Sequence, residues 1–252
     1  ARILNDSTYL NSDNSLVVEI NLFEGDPYLF GEISFIGNTV YTNEELFNQM
    51  GIKRGDIFNQ TTLESRLFGS QDGSDISALY LDNGYLFFNA NPIEISTENN
   101  QIDIEIRIYE GEQARVNKVS VIGNTKTNDH VIMREIRTMP GDLFKRSDIM
   151  RSQRELAMMQ YFNPETFDVK IDPQPARNEV DITYVVEEKS SDQISMSGGW
   201  GAGRVIGQLA LTFNNFSSKN FFKKDKWRPL PSGDGQRLIL QAQSNGIYYR
   251  TY

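Results

Sequence analysis

The amino-acid sequence predicts an α+β fold, in which tandem β-α-α-β-β units are followed by antiparallel amphipathic strands. Three observations predict it. Residues 34–39, SFIGNT, return 86 positions later as residues 120–125, SVIGNT. In each copy, segments of period-2 apolar alternation flank two stretches of helical period. After Glu188 the composition changes, and glutamate does not occur again.

The offset of 86 extends well beyond the turn. Glu24-Gly25 returns as Glu110-Gly111, Gly55-Asp56 as Gly141-Asp142, and Phe58 as Phe144. A shared turn would not hold register over so many residues, so a whole domain is repeated. Within each copy, residues 30–36 and 116–122 read as the first strand. Thr42 and Glu45 have the spacing of a capping box, and Leu46, Phe47 and Met50 form an apolar stripe behind it. In the second copy Asn128 or Asp129 caps, and Val131, Ile132 and Ile136 supply the stripe. The Gly-Asp pair and its following Phe lead to a second helix, carrying Leu63 and Leu67 in one copy and Ile149, Leu156 and Met159 in the other. Register slips after Leu67, where residues 69–77, GSQDGSDIS, form an insertion that lengthens the second-helix region.

Two strands close each unit. Ile102, Ile104, Ile106 and Ile108 share one face of the final strand, and Asp103, Glu105 and Arg107 share the other. Residues 1–25 read as the closing hairpin of a third, truncated unit. The expected domains are therefore 1–25, 26–111, 112–189 and 190–252. The N-terminus has no basic-then-apolar leader pattern. Either a leader was removed or the chain begins inside a longer protein.

Residues 1–189 carry 17 Lys and Arg against 31 Asp and Glu, a net −14, whereas residues 190–252 carry 8 against 3, a net +5. In the second region Leu209, Leu211 and Phe213 alternate with Gln208, Thr212 and Asn214. Leu238, Leu240 and Ala242 alternate with Gln241 and Gln243, and Ile194, Met196 and Trp200 with serines and glycines. Trp200, Trp227, Tyr248, Tyr249 and Tyr252 fall near strand ends. An apolar face, a polar uncharged face and terminal aromatics are the pattern of transmembrane β-barrel strands. Three such strands bury no core alone, so they read as the first strands of an incomplete barrel.

Other classes are disfavoured. The acidic first region offers no basic face for nucleic acid. The chain has no cysteine and one histidine, His130, which excludes thiol chemistry and multi-His metal sites. His130 is expected to be an ordinary surface histidine. No Gly-x-Ser-x-Gly elbow is present, so no catalytic residue, cofactor or metal is expected.

The repeated IGN-T turn, the mid-domain GD-F and the acidic final strand resemble POTRA domains. POTRA repeats that lead into a Gly-rich amphipathic strand resemble BamA-type outer-membrane assembly factors. Residues 134–144, REIRTMPGDLF, and 185–201, VVEEKSSDQISMSGGWG, carry the most specific part of the match. The resemblance implies a protein of the Gram-negative outer membrane with its POTRA domains in the periplasm. It implies assembly of unfolded β-barrel proteins, with accessory lipoproteins and outer-membrane lipid as further partners, and it implies no enzyme activity. A transporter of one dedicated substrate and a periplasmic POTRA scaffold are the alternatives.

Three candidate sites follow. The strand after the second helix is the expected sheet edge, with Ile93, Glu94 and Ile95 in one unit and Phe167, Val169 and Ile171 in the other. Such an edge can take an added strand, although Glu94, Asp168 and Lys170 also suit a solvated, blunted edge. The first barrel strand, residues 194–203, contains Ile194, Ser195, Met196, Ser197, Gly198, Gly199 and Gly201. Its glycines weaken closure against the last strand, and the resemblance implies a lateral gate there. Arg134, Glu135 and Arg137, at the end of a helix in the barrel-proximal unit, are the candidates for partner docking. Pro140 stands where an acidic residue would strengthen a charged surface. The long loop of residues 219–235 is expected on the periplasmic side, with basic residues that suit lipid phosphate.

Overall fold

The computed structural model of the protein describes residues 2–13, 15–70, 73–201, 204–224, 227, 230–244 and 249–251. It contains two compact units, Ala1–Ser77 with Phe88–Glu110, and Ala78–Phe87 with Gly111–Tyr252.

The first unit begins with an exposed antiparallel hairpin, β1 (Arg2–Leu10) and β2 (Leu16–Phe23). Then come β3 (Leu29–Ile36), α1 (Asn43–Met50), α2 (Gln60–Phe68), the first two residues of α3 (Ile76–Leu81), β4 (Asn89–Glu98) and β5 (Gln101–Tyr109). The sheet order is β3-β5-β4, with β3 parallel and β4 antiparallel to β5. The parallel pair needs a crossover, which the helices provide. Ile102, Ile104, Ile106 and Ile108 of β5 are buried, with Leu46, Met50, Leu63 and Leu67 of the helices also in the core. The second-helix region is not one longer helix. α2 stops at Phe68 and α3 starts at Ile76, because the inserted Gly and Ser residues favour turns over helix.

The second unit repeats the plan with β6 (Arg115–Ile122), α4 (Asp129–Met133), α5 (Arg146–Met158), β7 (Asp168–Gln174) and β8 (Glu179–Val185), in sheet order β6-β8-β7. Its core gathers Val131, Ile132, Phe144, Leu156, Ile182 and Tyr184. Tyr184 is fully buried, and its hydroxyl is satisfied by Thr138 Oγ1 at 3.0 Å. The Gly-Asp motif braces the first strand in both units. Phe30 donates to Asp56 O and accepts from Gly55 N, each at 2.8 Å. Val116 makes the same pair of bonds with Asp142 and Gly141 at 2.8 and 2.7 Å.

The IGN-T turn is built identically twice. Gly37 and Gly123 have φ of +92° and +96°, and a Cβ on either would collide with the carbonyl oxygen of Ile108 or Val186, so only glycine fits. Asn38 Nδ2 donates to Tyr41 O and Asn43 Oδ1, and Asn124 Nδ2 donates to Thr127 O and Asp129 Oδ1. A glutamate then pins each turn. Glu110 accepts from Thr39 N, Thr39 Oγ1 and Val40 N. Glu188 accepts from Thr125 N, Thr125 Oγ1, Lys126 N and Thr127 N, at 2.6–3.1 Å.

The remaining strands are β9 (Gln193–Gly201), β10 (Arg204–Phe216), β11 (Gln236–Ser244) and β12 (Tyr249–Thr251), antiparallel in the order β12-β11-β10-β9. The register sets Ile194 opposite Leu211 and Leu211 opposite Leu240. Met196 meets Leu209, and Phe213 meets Leu238. The period-2 faces therefore continue from strand to strand. β9 is described as far as Gly201, and residues 202–203 of the expected strand lie outside the described residues. Gly203, Tyr248 and Tyr252 lie outside the described residues. Among the described residues, no helix is long and apolar enough to cross a membrane.

Burial pushes the Glu188 carboxyl up, but hydrogen bonds from Thr127, Thr125 and Lys126 together outweigh it and hold the group below the ordinary glutamate range. A carboxyl lowered on folding contributes stability that is complete above the unfolded value, about 4.3, and is lost as pH falls through the folded one. Glu188→Ala is expected to cost about 2 kcal/mol, since hydrogen bonds to a charged acceptor are lost. Glu188→Gln should flatten the acid limb of stability below about pH 4.3. Unfolding followed from pH 2 to pH 7 checks both, and an unchanged acid limb would show that the pin carries no linkage.

Candidate functional site

β4 and β7 lie at sheet edges, so each leaves one row of backbone groups without a strand partner in its sheet. Ile93, Glu94 and Ile95 fall in β4. The register shifts between Glu94 and Ser96, and Ile95 is 60% exposed on this irregularity. Pro92, in the same strand, has no N–H to offer. Val169 and Ile171 fall in β7, whose register with β8 is unbroken from Asp168 to Gln174. Phe167 is not a strand residue. It follows the 3-10 turn Pro164–Thr166, and its ring packs with Val169 against the core, because the turn is needed to bring the chain into the edge. Of these two edges, β7 offers the longer uninterrupted run without a proline, residues 168–172, where β4 is broken by Pro92 and the register shift.

β9 is an edge strand as well, paired only with β10 among the described residues. Ile194 and Met196 are 77% and 83% exposed and share one face. Ser195 and Ser197 share the other. Gly198 and Gly199 leave the strand nearly bare, since a Cβ on Gly199 would meet nothing within 4 Å. This strand offers backbone hydrogen bonds with little side-chain constraint near its glycines.

One site has no counterpart in the sequence reading. The loop between β10 and β11 folds back onto the turn before α4. Asn128 donates its backbone N–H to Gly233 O at 2.9 Å and its side-chain amide to Asp234 Oδ1 at 2.9 Å. Asn215 Nδ2 donates to Thr127 Oγ1 at 2.8 Å. Asp234 is buried and also accepts from Ser217 Oγ at 2.6 Å. A Cβ on Gly233, at φ +121°, would lie 2.5 Å from Lys126 O, so a side chain there would force the loop off the turn. Burial pushes the Asp234 carboxyl up, but Ser217, Asn128, Lys219 and His130 outweigh it and hold it below the usual aspartate range.

The latch alters the start of α4. Asn128 occupies the N-cap position but makes no side-chain cap bond. In the first unit Thr42 and Glu45 complete a capping box, and α1 runs for 8 residues against 5 in α4. Asn128 Nδ2 is turned to Asp234, and the side-chain oxygen that would accept from the first turn of α4 makes no cap bond. His130 is exposed, and its Nε2 lies 3.7 Å from Asp234 Oδ1 at the edge of this junction. Arg134 follows the end of α4, and its Nε donates to Glu135 Oε1 at 3.1 Å. A Cβ on Gly235 would lie 3.2 Å from Arg134 Nη2. Arg134 therefore borders the loop. Arg137 is exposed, and its backbone N–H is held by Ser152 Oγ at 2.8 Å. Arg134 and Arg137 are both exposed, and Glu135 is half-buried.

The latch predicts a coupled pair. Asp234→Ala should speed hydrogen exchange at the Asn128 amide about tenfold or more, as expected for loss of a charged hydrogen bond. Asn128→Ala with Asp234→Ala should lose much less than the sum of the single losses. Additive losses would show that the two residues do not act together.

Comparison with known proteins now bears on this architecture. The POTRA family model, surface antigen variable number repeat, matches residues 28–111 and 114–189. The chain is 29% identical over 194 residues to the outer membrane protein assembly factor BamA of Nitratidesulfovibrio vulgaris, covering 75% of this chain and 23% of that protein. It is 27% identical over 202 residues to BamA of Neisseria meningitidis serogroup B, covering 79% of this chain and 24% of that protein. It thus spans roughly a quarter of the length of these curated relatives. The crystal structure of Haemophilus ducreyi BamA lacking POTRA domains 1–3 superposes with a TM-score of 0.65 at 22% identity, over 89% of this chain and 38% of that one. That likeness concerns the fold alone. With two repeats matched one after the other, the chain belongs to the POTRA family.

Proposed function

We propose that the protein is an outer-membrane β-barrel protein assembly and insertion factor. Its POTRA units would lie in the periplasm and its terminal strands in the outer membrane of a Gram-negative bacterium. In this reading 1–25 closes a truncated POTRA domain, 26–111 and 112–189 are POTRA domains, and 190–252 begins the barrel. Unfolded barrel proteins are the substrates and accessory lipoproteins the partners.

The observation that carries the proposal is β9. It is an amphipathic, glycine-rich strand at a sheet edge, and it follows directly from a POTRA unit. An unfolded barrel protein exposes unpaired strand backbone, which is costly in a membrane. Strand addition at β7, and then at β9, satisfies those groups with little demand on sequence. The similarity to BamA relatives supports the same role.

Depletion of the protein should lower many outer-membrane barrel proteins together, read by quantitative proteomics. Loss of a single exported protein would instead support a dedicated transporter. A photo-crosslinker at Met196 should capture assembling barrel strands, whereas one at Phe47, on a helix, should not. Equal capture at both positions would remove the case for β9 as a template.

A further inference from the structure

The loop that forms the latch has a second face. Residues 217–235 hold Lys219, Lys223, Lys224, Lys226 and Arg228 against Asp225 and Asp234, a net +3. Phe221, Phe222 and Trp227 are 47%, 92% and 40% exposed. They are not scattered. Phe221 packs against Phe222 and against Trp227, with ring centroids 5.5 Å apart in both pairs. Trp227 Nε1 donates to Phe221 O at 3.0 Å, so the one polar atom of the indole is satisfied within the loop. The base of the loop is tied down: Ser217 N donates to Pro231 O, Asn220 N to Ser217 Oγ, and Asn220 Nδ2 to Ser232 O. Phe221, Phe222 and Trp227 therefore form an exposed apolar cluster above a fixed base, with the exposed Lys223 and Lys224 beside it.

Leaving a phenylalanine in water forgoes the gain that burial would bring. Aromatic rings beside lysines match the boundary between lipid headgroups and acyl chains, where rings enter the apolar layer and ammonium groups meet phosphate. The loop springs from β10 and returns into β11, beyond the Phe213 and Leu238 row of the apolar face. It stands at the end of these strands that meets the POTRA unit. We propose that this loop is a membrane-interface anchor, which seats Phe222 and Trp227 at the headgroup boundary and holds anionic phospholipid headgroups with Lys223 and Lys224. The proposal rests on the membrane reading of β9–β12 and adds a lipid-binding site to it.

The test uses the full-length protein in nanodiscs of phosphatidylcholine with or without phosphatidylglycerol. A single cysteine carrying a small apolar fluorophore is placed by Phe222→Cys or, separately, by Met196→Cys. Both positions are exposed, so neither label disturbs the core, and native electrophoretic migration confirms folding. Lipids with brominated chains should quench both labels, and shallow bromines should quench the Phe222 position more than deep ones. Lys223→Gln and Lys224→Gln should each lower the preference for phosphatidylglycerol about fivefold, as expected for one lysine at an anionic surface. No quenching at Met196 would overturn the membrane reading. Quenching at Met196 with iodide access at Phe222 would overturn the anchor alone. Protection of the Phe222 label from both bromine and iodide would show a protein surface covering the cluster, and would also overturn the anchor.

Discussion

The carboxylate of Glu188 holds the junction between the second POTRA unit and the terminal strands from within. It stands past the end of β8 and gathers the amides of Thr125, Lys126 and Thr127 into one turn. That turn then presents Thr127 Oγ1 to Asn215 and sets Asn128 against Gly233 and Asp234. Without the pin, the turn keeps only the bonds of Asn124, and the loop loses part of its support. A charged acceptor suits this task because it takes several donors at once, each stronger than a neutral bond.

The two units show how one pattern serves two surroundings. Gly37 and Gly123, Asn38 and Asn124, and Glu110 and Glu188 do the same work in each. The helix that follows the turn does not. Thr42 and Glu45 satisfy each other's backbone amides in the first unit. At the same positions, 86 residues later, stand Asn128 and Val131. Asn128 turns to Asp234, and Val131 is buried where Gly235 approaches it. The difference reflects what lies against the helix start, not a different fold.

Much of this was legible in the sequence because it is local or periodic. The offset of 86 located the repeat, the capping box at Thr42 was read from the three-residue spacing to Glu45, and alternation placed the buried face of β5. The break between α2 and α3 was less legible, since Gly and Ser in an insertion mark a break without saying whether helix resumes. The expected edge strands lay where β4 and β7 lie, but alternation did not show the bulge at Ile95 or the 3-10 turn before β7. The latch was invisible for a plain reason. Asn128 and Asp234 are 106 residues apart, and neither belongs to a periodic pattern. The only signal was negative: the second copy lacks the Glu that would complete a capping box.

The diverted cap has a consequence for modularity. Repeat units of this kind look interchangeable, since turn, pin and sheet order are shared. They are not. Grafting the first unit into the second position would put Thr42 where Asn128 stands and Glu45 where Val131 stands. Asp234 would lose its amide donor, and a second carboxylate would enter the ground occupied by a buried methyl group. A charge left buried without its partner is among the costliest changes a fold can suffer. The barrel-proximal unit is therefore matched to the strands it precedes, and the two would have to diverge together as a pair.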